Sequence, residues 1–274
     1  MKIAANTEAN FVENKKLCLS RVGGKPSSLR YRKFNHTRIL EFMGFINVRS
    51  LAEISLVTCF AALVSACSST PPPPDWQMNA QGSMERSIEG YLIGNARVEA
   101  AEFARAKSEI ARTGRADLMA RVELMRCAAR VASLANVEKE ECDGFEKLRP
   151  DAAAPERAYA DYLAGRAQAD ASLLPPQHRA IAAQSVDANA VQNIADPLSR
   201  LVAAGVIFRR GDASPAVLAT AVETASAQGW RRPLLAWLGV QLIRAEKAAD
   251  AGEAERLRRR IALVENAHVN EVKH

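Results

Sequence analysis

The chain has 274 residues, 48% of them hydrophobic and 25% charged, a balance that excludes an intrinsically disordered chain and leaves enough apolar side chains for a core. Its formal charge of +6 points first to nucleic acid or an anionic membrane surface. Residues 1–66, however, hold 10 of the 37 basic and 4 of the 31 acidic side chains, leaving 27 of each in residues 67–274; a neutral body has no electrostatic case for gripping phosphate backbones, so nucleic acid is not an expected partner.

In chain order, residues 1–42 carry no signal for a fold of their own. An export signal runs about 15 to 30 residues from its start, and Met43 offers that start, so the first 42 residues read as a mis-assigned beginning or an extension. Residues 54–66 form a run of 13 without a charge; a helix needs roughly 20 to cross a bilayer, whereas the apolar part of a secretory signal takes about 7 to 15. The run ends in small residues, Val64-Ser65-Ala66-Cys67. These four positions resemble the lipobox of bacterial lipoproteins, and the resemblance covers the targeting segment alone. It implies a diacylglycerol thioether on Cys67, cleavage between Ala66 and Cys67, and acylation of the new amino terminus. Two or more chains make such anchoring stable, because each buried methylene adds about 0.8 kcal/mol. Cys59 is the rival, but Thr58 precedes it and Phe60-Ala61-Ala62 keeps the run apolar beyond it. Ser68 stands where an aspartate would resemble an inner-membrane retention signal, so the resemblance implies the periplasmic face of the outer membrane.

Four prolines at 71–74 favour an extended spacer, and Trp76 is placed to fold the tether back on the body. The expected organisation is a signal peptide over 43–66, lipid attachment and tether over 67–80, a helical body over 81–267 and a frayed tail over 268–274.

The body is rich in Ala, Leu and Arg and shows no strand alternation, which predicts an all-α fold. Breaks are expected at Gly114, 151–155, Pro175-Pro176, Asp196-Pro197, 211–215 and 229–233. Residues 95–113 and 115–134 read as a hairpin of longer helices ahead of the segments that follow. In the second helix Leu118, Val122, Met125, Ala129 and Ala132 form one apolar stripe, and Leu124, Cys127, Val131 and Leu134 a second. Arg115, Glu123, Arg126 and Arg130 fill the wedge between, so the helix is expected to pack between neighbours. Helical spacing recurs at Leu198, Leu201, Val202, Gly205 and Phe208, at Leu218, Ala221, Val222 and Ala225, and at Ala254, Leu257, Ile261 and Val264.

"LVAAGVIFRRGD" (201–212) and "LLAWLGVQLIRA" (234–245) place Gly205 and Gly239 34 residues apart, the tetratricopeptide period. The first segment resembles helix A of that family, with Gly205 small and Phe208 large, followed by Ala216 and Ala219. The second unit departs from the pattern, since Ala254 lies 15 residues after Gly239 but Ala216 only 11 after Gly205. Antiparallel hairpins are therefore expected, either as a solenoid-like, degenerate tetratricopeptide-like array or as an irregular bundle.

With Cys67 acylated, Cys127 and Cys142 remain as a pair, expected to form a disulfide in an oxidising compartment. His178, His268 and His274 share no ligand spacing with a cysteine or carboxylate, so no metal or other cofactor is expected. The runs at 138–141 and at Arg256, Arg258, Arg259 and Arg260 read as solvated faces, Trp237 as core, and Trp230 as the cover of a hairpin end. No nucleophile elbow, phosphate loop or zinc-protease signature is present. The reading that follows is a non-enzymatic envelope lipoprotein, held in the bilayer through Cys67, that binds another envelope protein. The alternatives are an envelope enzyme or accessory acting on cell-wall material, and a structural spacer without a specific ligand.

Overall fold

The computed structural model describes residues 72–135, 142–166, 170–183 and 188–271, with side chains as far as residue 266. The expected signal, the lipobox at Val64, Ser65, Ala66 and Cys67, the acidic run at 138–141 and the side chains of His268 and His274 lie outside the described residues.

The described residues are all-α. Eleven helices follow in order: α1 (Asp75–Ile93), α2 (Ala96–Ala111), α3 (Ala116–Ala132), α4 (Asp143–Glu146), α5 (Ala154–Leu163), α6 (Pro176–Ala182), α7 (Ala188–Gln192), α8 (Pro197–Arg209), α9 (Pro215–Ala227), α10 (Arg231–Lys247) and α11 (Ala251–Glu271). Two 3₁₀ turns, Arg149–Asp151 and Ala171–Leu173, precede α5 and α6.

The breaks fall where proline and short polar side chains put them. Pro176, Pro197 and Pro215 open α6, α8 and α9, at the position where a missing N–H costs no intrahelical bond. Asp196 accepts from Ser199 N at 2.7 Å and Ser214 from Val217 N at 3.3 Å, so each caps a helix whose first amides would otherwise be orphaned. Gly94 closes α1 with φ at +90°, and Asn95 N donates back to Gly90 O at 2.7 Å, a left-handed closure that suits glycine.

α1 starts at Asp75 with Pro74 as its cap, so the last six residues of the 67–80 stretch expected as tether are helical. Trp76 is half-buried. α1 and α2 form the first hairpin, packed along their whole length because their contact face is made of small groups: a Cβ on Gly90 would stand 2.9 Å from Glu99 N, and Ser87 Oγ donates to Glu99 O at 3.0 Å.

α3 is the hub, in contact with α1, α2, α4, α5 and α8. Val122, Ala129 and Ala132 from one stripe and Leu124, Cys127 and Val131 from the other are buried, so both faces pack. The wedge between them faces α2. Glu99 accepts from Arg130 Nη2 at 3.0 Å and Glu123 from Lys107 Nζ at 2.8 Å, and Glu99, Glu102 and Glu123 are all buried. α8 crosses α3 where Gly205 lets the backbones touch: a Cβ there would lie 2.4 Å from Val131 O.

α8–α9 and α10–α11 are successive hairpins whose first helices begin 34 residues apart, at Pro197 and Arg231, and whose second helices begin 36 apart, at Pro215 and Ala251. The helices then close back on the beginning of the body. Trp237, fully buried, donates from Nε1 to Ala132 O at 3.0 Å and meets Phe208 edge-on at 5.8 Å. Trp230 Nε1 donates to Glu89 Oε2 at 3.1 Å, and Arg232 Nε to Tyr91 O at 2.8 Å. In an open solenoid each hairpin touches its sequence neighbours; here α10 packs on α1, so of the two expected architectures the helices adopt the irregular bundle. Arg256, Arg258 and Arg259 pair with Glu253, Glu246 and Glu255 on an exposed face.

Candidate functional site

Cys127 and Cys142 are joined in a disulfide with their Cα atoms 5.2 Å apart, which fastens α3 to the start of α4. The bond forms one wall of a cleft of about 620 Å³ between α3, α4, α5 and the end of α8. Leu124, Leu134, Phe145, Leu163 and Phe208 supply its apolar lining, and Asp143, Glu146, Arg166 and Arg209 its polar edge. This volume lies within the roughly 300–1,000 Å³ typical of ligand clefts.

The lining is placed by packing. Phe145 is fully buried, and Gly144 beside it lies against the Glu123 carboxylate, where a Cβ would come within 2.3 Å of Oε2; these two residues seat the single turn of α4 on α3. Arg209, in the last turn of α8, donates from Nη1 to Leu163 O and from Nη2 to Ala135 O, each at 3.1 Å. One guanidinium thus satisfies the last carbonyl of α5 and one just past the end of α3, where a cation is favoured by the helix dipoles. Along the edge Arg149 bridges Glu146 and Asp161, and Asp161 also pairs with Arg166. The hydrogen bond from Arg149 holds the Glu146 carboxyl below its ordinary range against the opposing effect of burial. A carboxylate held in that state is a poor proton donor near neutral pH, because general acid work needs a raised pKa. What the cleft offers chemically is a trough in which apolar side chains and charged ones contribute about equally, the charged ones being two acidic and two basic.

A second cluster is wholly interior. His178 on α6 is fully buried, with its ring centroid 5.1 Å from that of Tyr162 and 5.6 Å from that of Tyr159. Its Nδ1 lies 3.2 Å from Tyr162 Oη, and its Nε2 has no hydrogen-bond partner among the described residues. Burial pushes the ring down to about 4, against the pull of Asp196, and pushes both tyrosine hydroxyls up. The sequence marked His178 only as a histidine without ligand spacing; its environment left no trace in a one-dimensional pattern.

Of the residues singled out from sequence, Cys127 and Cys142 come together, Trp237 is core, and Trp230 is buried with its indole N–H bonded to Glu89 of α1. Arg232, two residues after Trp230, lies over the Tyr91 ring at 4.4 Å. Among the described residues no group of three or more His, Cys, Asp or Glu side chains is placed to hold a metal ion. No described helix is long and apolar enough to cross a membrane. Comparison with protein-family models, with curated proteins and with solved structures finds no match to this chain.

Proposed function

We propose that this chain is a lipid-anchored protein of the bacterial cell envelope whose helical bundle acts as a non-enzymatic protein-interaction module. The observation that carries the reading is the Val64-Ser65-Ala66-Cys67 sequence at the end of 13 uncharged residues, a length suited to an export signal and short for a permanent span. The Cys127–Cys142 bond supports it, because disulfides persist in oxidising compartments. So does the chain's layout: seven residues separate Cys67 from the start of α1 at Asp75. Fully extended they span at most about 25 Å, which would hold the bundle close to the lipid headgroups. The cleft beside the disulfide is the proposed contact for the partner, since it sets apolar side chains (Leu124, Leu134, Phe208) beside charged ones (Glu146, Arg166, Arg209), with the Glu146 carboxyl held below its ordinary range by Arg149.

Mass spectrometry of the protein recovered from envelope fractions tests the anchor. The expected amino terminus is Cys67 carrying a diacylglyceryl group and an amide-linked acyl chain, and Cys67→Ser is expected to accumulate as an unprocessed precursor without palmitate label. A mature protein that begins upstream of Cys67 with no acyl mass would overturn the assignment. For the interaction, a photoreactive side chain replacing Asp143 is expected to give one discrete adduct in whole envelopes, and one replacing the exposed Arg256 none.

A further inference from the structure

His178 lies on α6 and is fully buried against the tyrosines of α5. The helix has seven residues, Pro176–Ala182, too few to stay helical in water without tertiary contacts. Arg210 Nη1 donates to Ile181 O at 3.0 Å and Gln177 Nε2 to Ser199 Oγ at 3.4 Å, while Ile181 and His178, both fully buried, supply the packing.

The ring's surroundings suit one protonation state. An imidazolium carries an N–H donor on each nitrogen. The pocket offers the Tyr162 oxygen to Nδ1, and Nε2 is buried without a partner among the described residues. A second charged donor would therefore face apolar surroundings, which disfavours the docked state. Among the described residues the ionisable groups that face the ring are Tyr159 and Tyr162 from α5 and Asp196 at the start of α8, while Arg179 follows it on α6 itself. Arg210, from the far end of α8, meets α6 at Ile181. The turn Ala171–Leu173 (ASL) and α7 (ANAVQ), which also adjoin α6, contain no ionisable side chain.

We propose that α6 is an acid-released segment: protonation of His178 undocks residues 176–182 from α5 and α8 while the rest of the bundle stays folded.

A released ring titrates near its ordinary value of about 6.5, whereas the docked ring titrates at about 4. Above 6.5 neither form binds the proton and docking is at full strength. As the pH falls from 6.5 towards 4 the released form alone gains a proton, so release is favoured about tenfold per pH unit, or roughly 300-fold across the window. Below 4 both forms are protonated and the dependence ends.

Hydrogen exchange of the full chain with its disulfide intact, corrected for the intrinsic pH dependence, tests this. Peptides covering 174–183 are expected to lose protection about tenfold per pH unit between 6.5 and 4, while peptides of α3 and α10 keep theirs. In His178→Gln the local slope is expected to vanish, and in Asp196→Asn it is expected to remain. Should His178→Gln fail to fold, NMR titration of the His178 ring in the unaltered chain serves instead, with the protection loss expected to begin below pH 6.5 and level off at the ring's docked pKa. Flat protection at 174–183, a slope retained in His178→Gln, loss of α3 and α10 together with α6, or a folded-state ring titrating near 6.5 would each overturn the proposal.

Discussion

Two glycines that look equivalent along the chain have opposite surroundings. Gly205 and Gly239 stand 34 residues apart in matched segments, yet a Cβ on Gly205 would press to 2.4 Å of Val131 O while one on Gly239 would meet nothing within 4 Å. Backbone at a crossing of two buried helices cannot move aside, so Gly205→Ala is expected to cost about 2 kcal/mol or more, in the range of overpacked core sites. Gly239→Ala replaces a flexible residue in a helix interior with the best helix former and is expected to stabilise by up to about 1 kcal/mol. Urea unfolding of the two variants checks both signs at once; equal effects would mean that α8 does not approach α3 as closely as described. The spacing of the pair was legible in the sequence, but which glycine is squeezed depends on α3, whose contact with α8 no repeat period encodes.

At the scale of elements, the breaks were readable because proline and capping side chains act locally: Pro176, Pro197 and Pro215 each open a helix, and Asp196 and Ser214 cap one. α1 was hidden for two reasons. The prolines before it read as tether, and its buried face carries Ser83, Ser87 and Gly90 among its apolar residues, because α2 packs too closely for larger side chains. The polar wedge of α3 was visible as a pattern but its role was not, since Glu123 and Arg130 find their partners, Lys107 and Glu99, on α2. The pairing of Cys127 with Cys142 was legible by elimination, but the cleft it lines was not, as its walls come from four helices. A bond closing 15 residues stabilises by about 3 kcal/mol in the chain-entropy account. Replacing both cysteines by serine is expected to lose that amount in urea unfolding while α4 stays docked, because Phe145 remains fully buried. A near-ultraviolet spectrum like that of the unaltered chain, with a lowered unfolding midpoint, is the expected result.

On the scale of the whole molecule the decisive contact joins residues more than a hundred positions apart, Trp237 to Ala132 and Arg232 to Tyr91. Sequence periodicity predicts hairpins one at a time and says nothing about whether the last returns to the first, which is why an open array and a bundle were equally compatible with it. The two differ in how they fail. An array loses stability roughly repeat by repeat, so removing its final hairpin leaves the others folded. In this bundle α10 supplies the fully buried indole of Trp237 and the guanidinium that stacks on Tyr91, and its loss would open the interior of α3 and the end of α1 together. Burial of an aromatic of this size is worth about 3–5 kcal/mol, a large share of the roughly 5–15 kcal/mol that holds a domain folded. A chain ending at Gly229 is therefore expected to lose cooperative unfolding and to show weak amide protection in α1 as well as in α8 and α9. Retention of a sharp transition with α1 fully protected would show that the first hairpins stand alone, and the body would then be an array whose final hairpin merely rests on the rest.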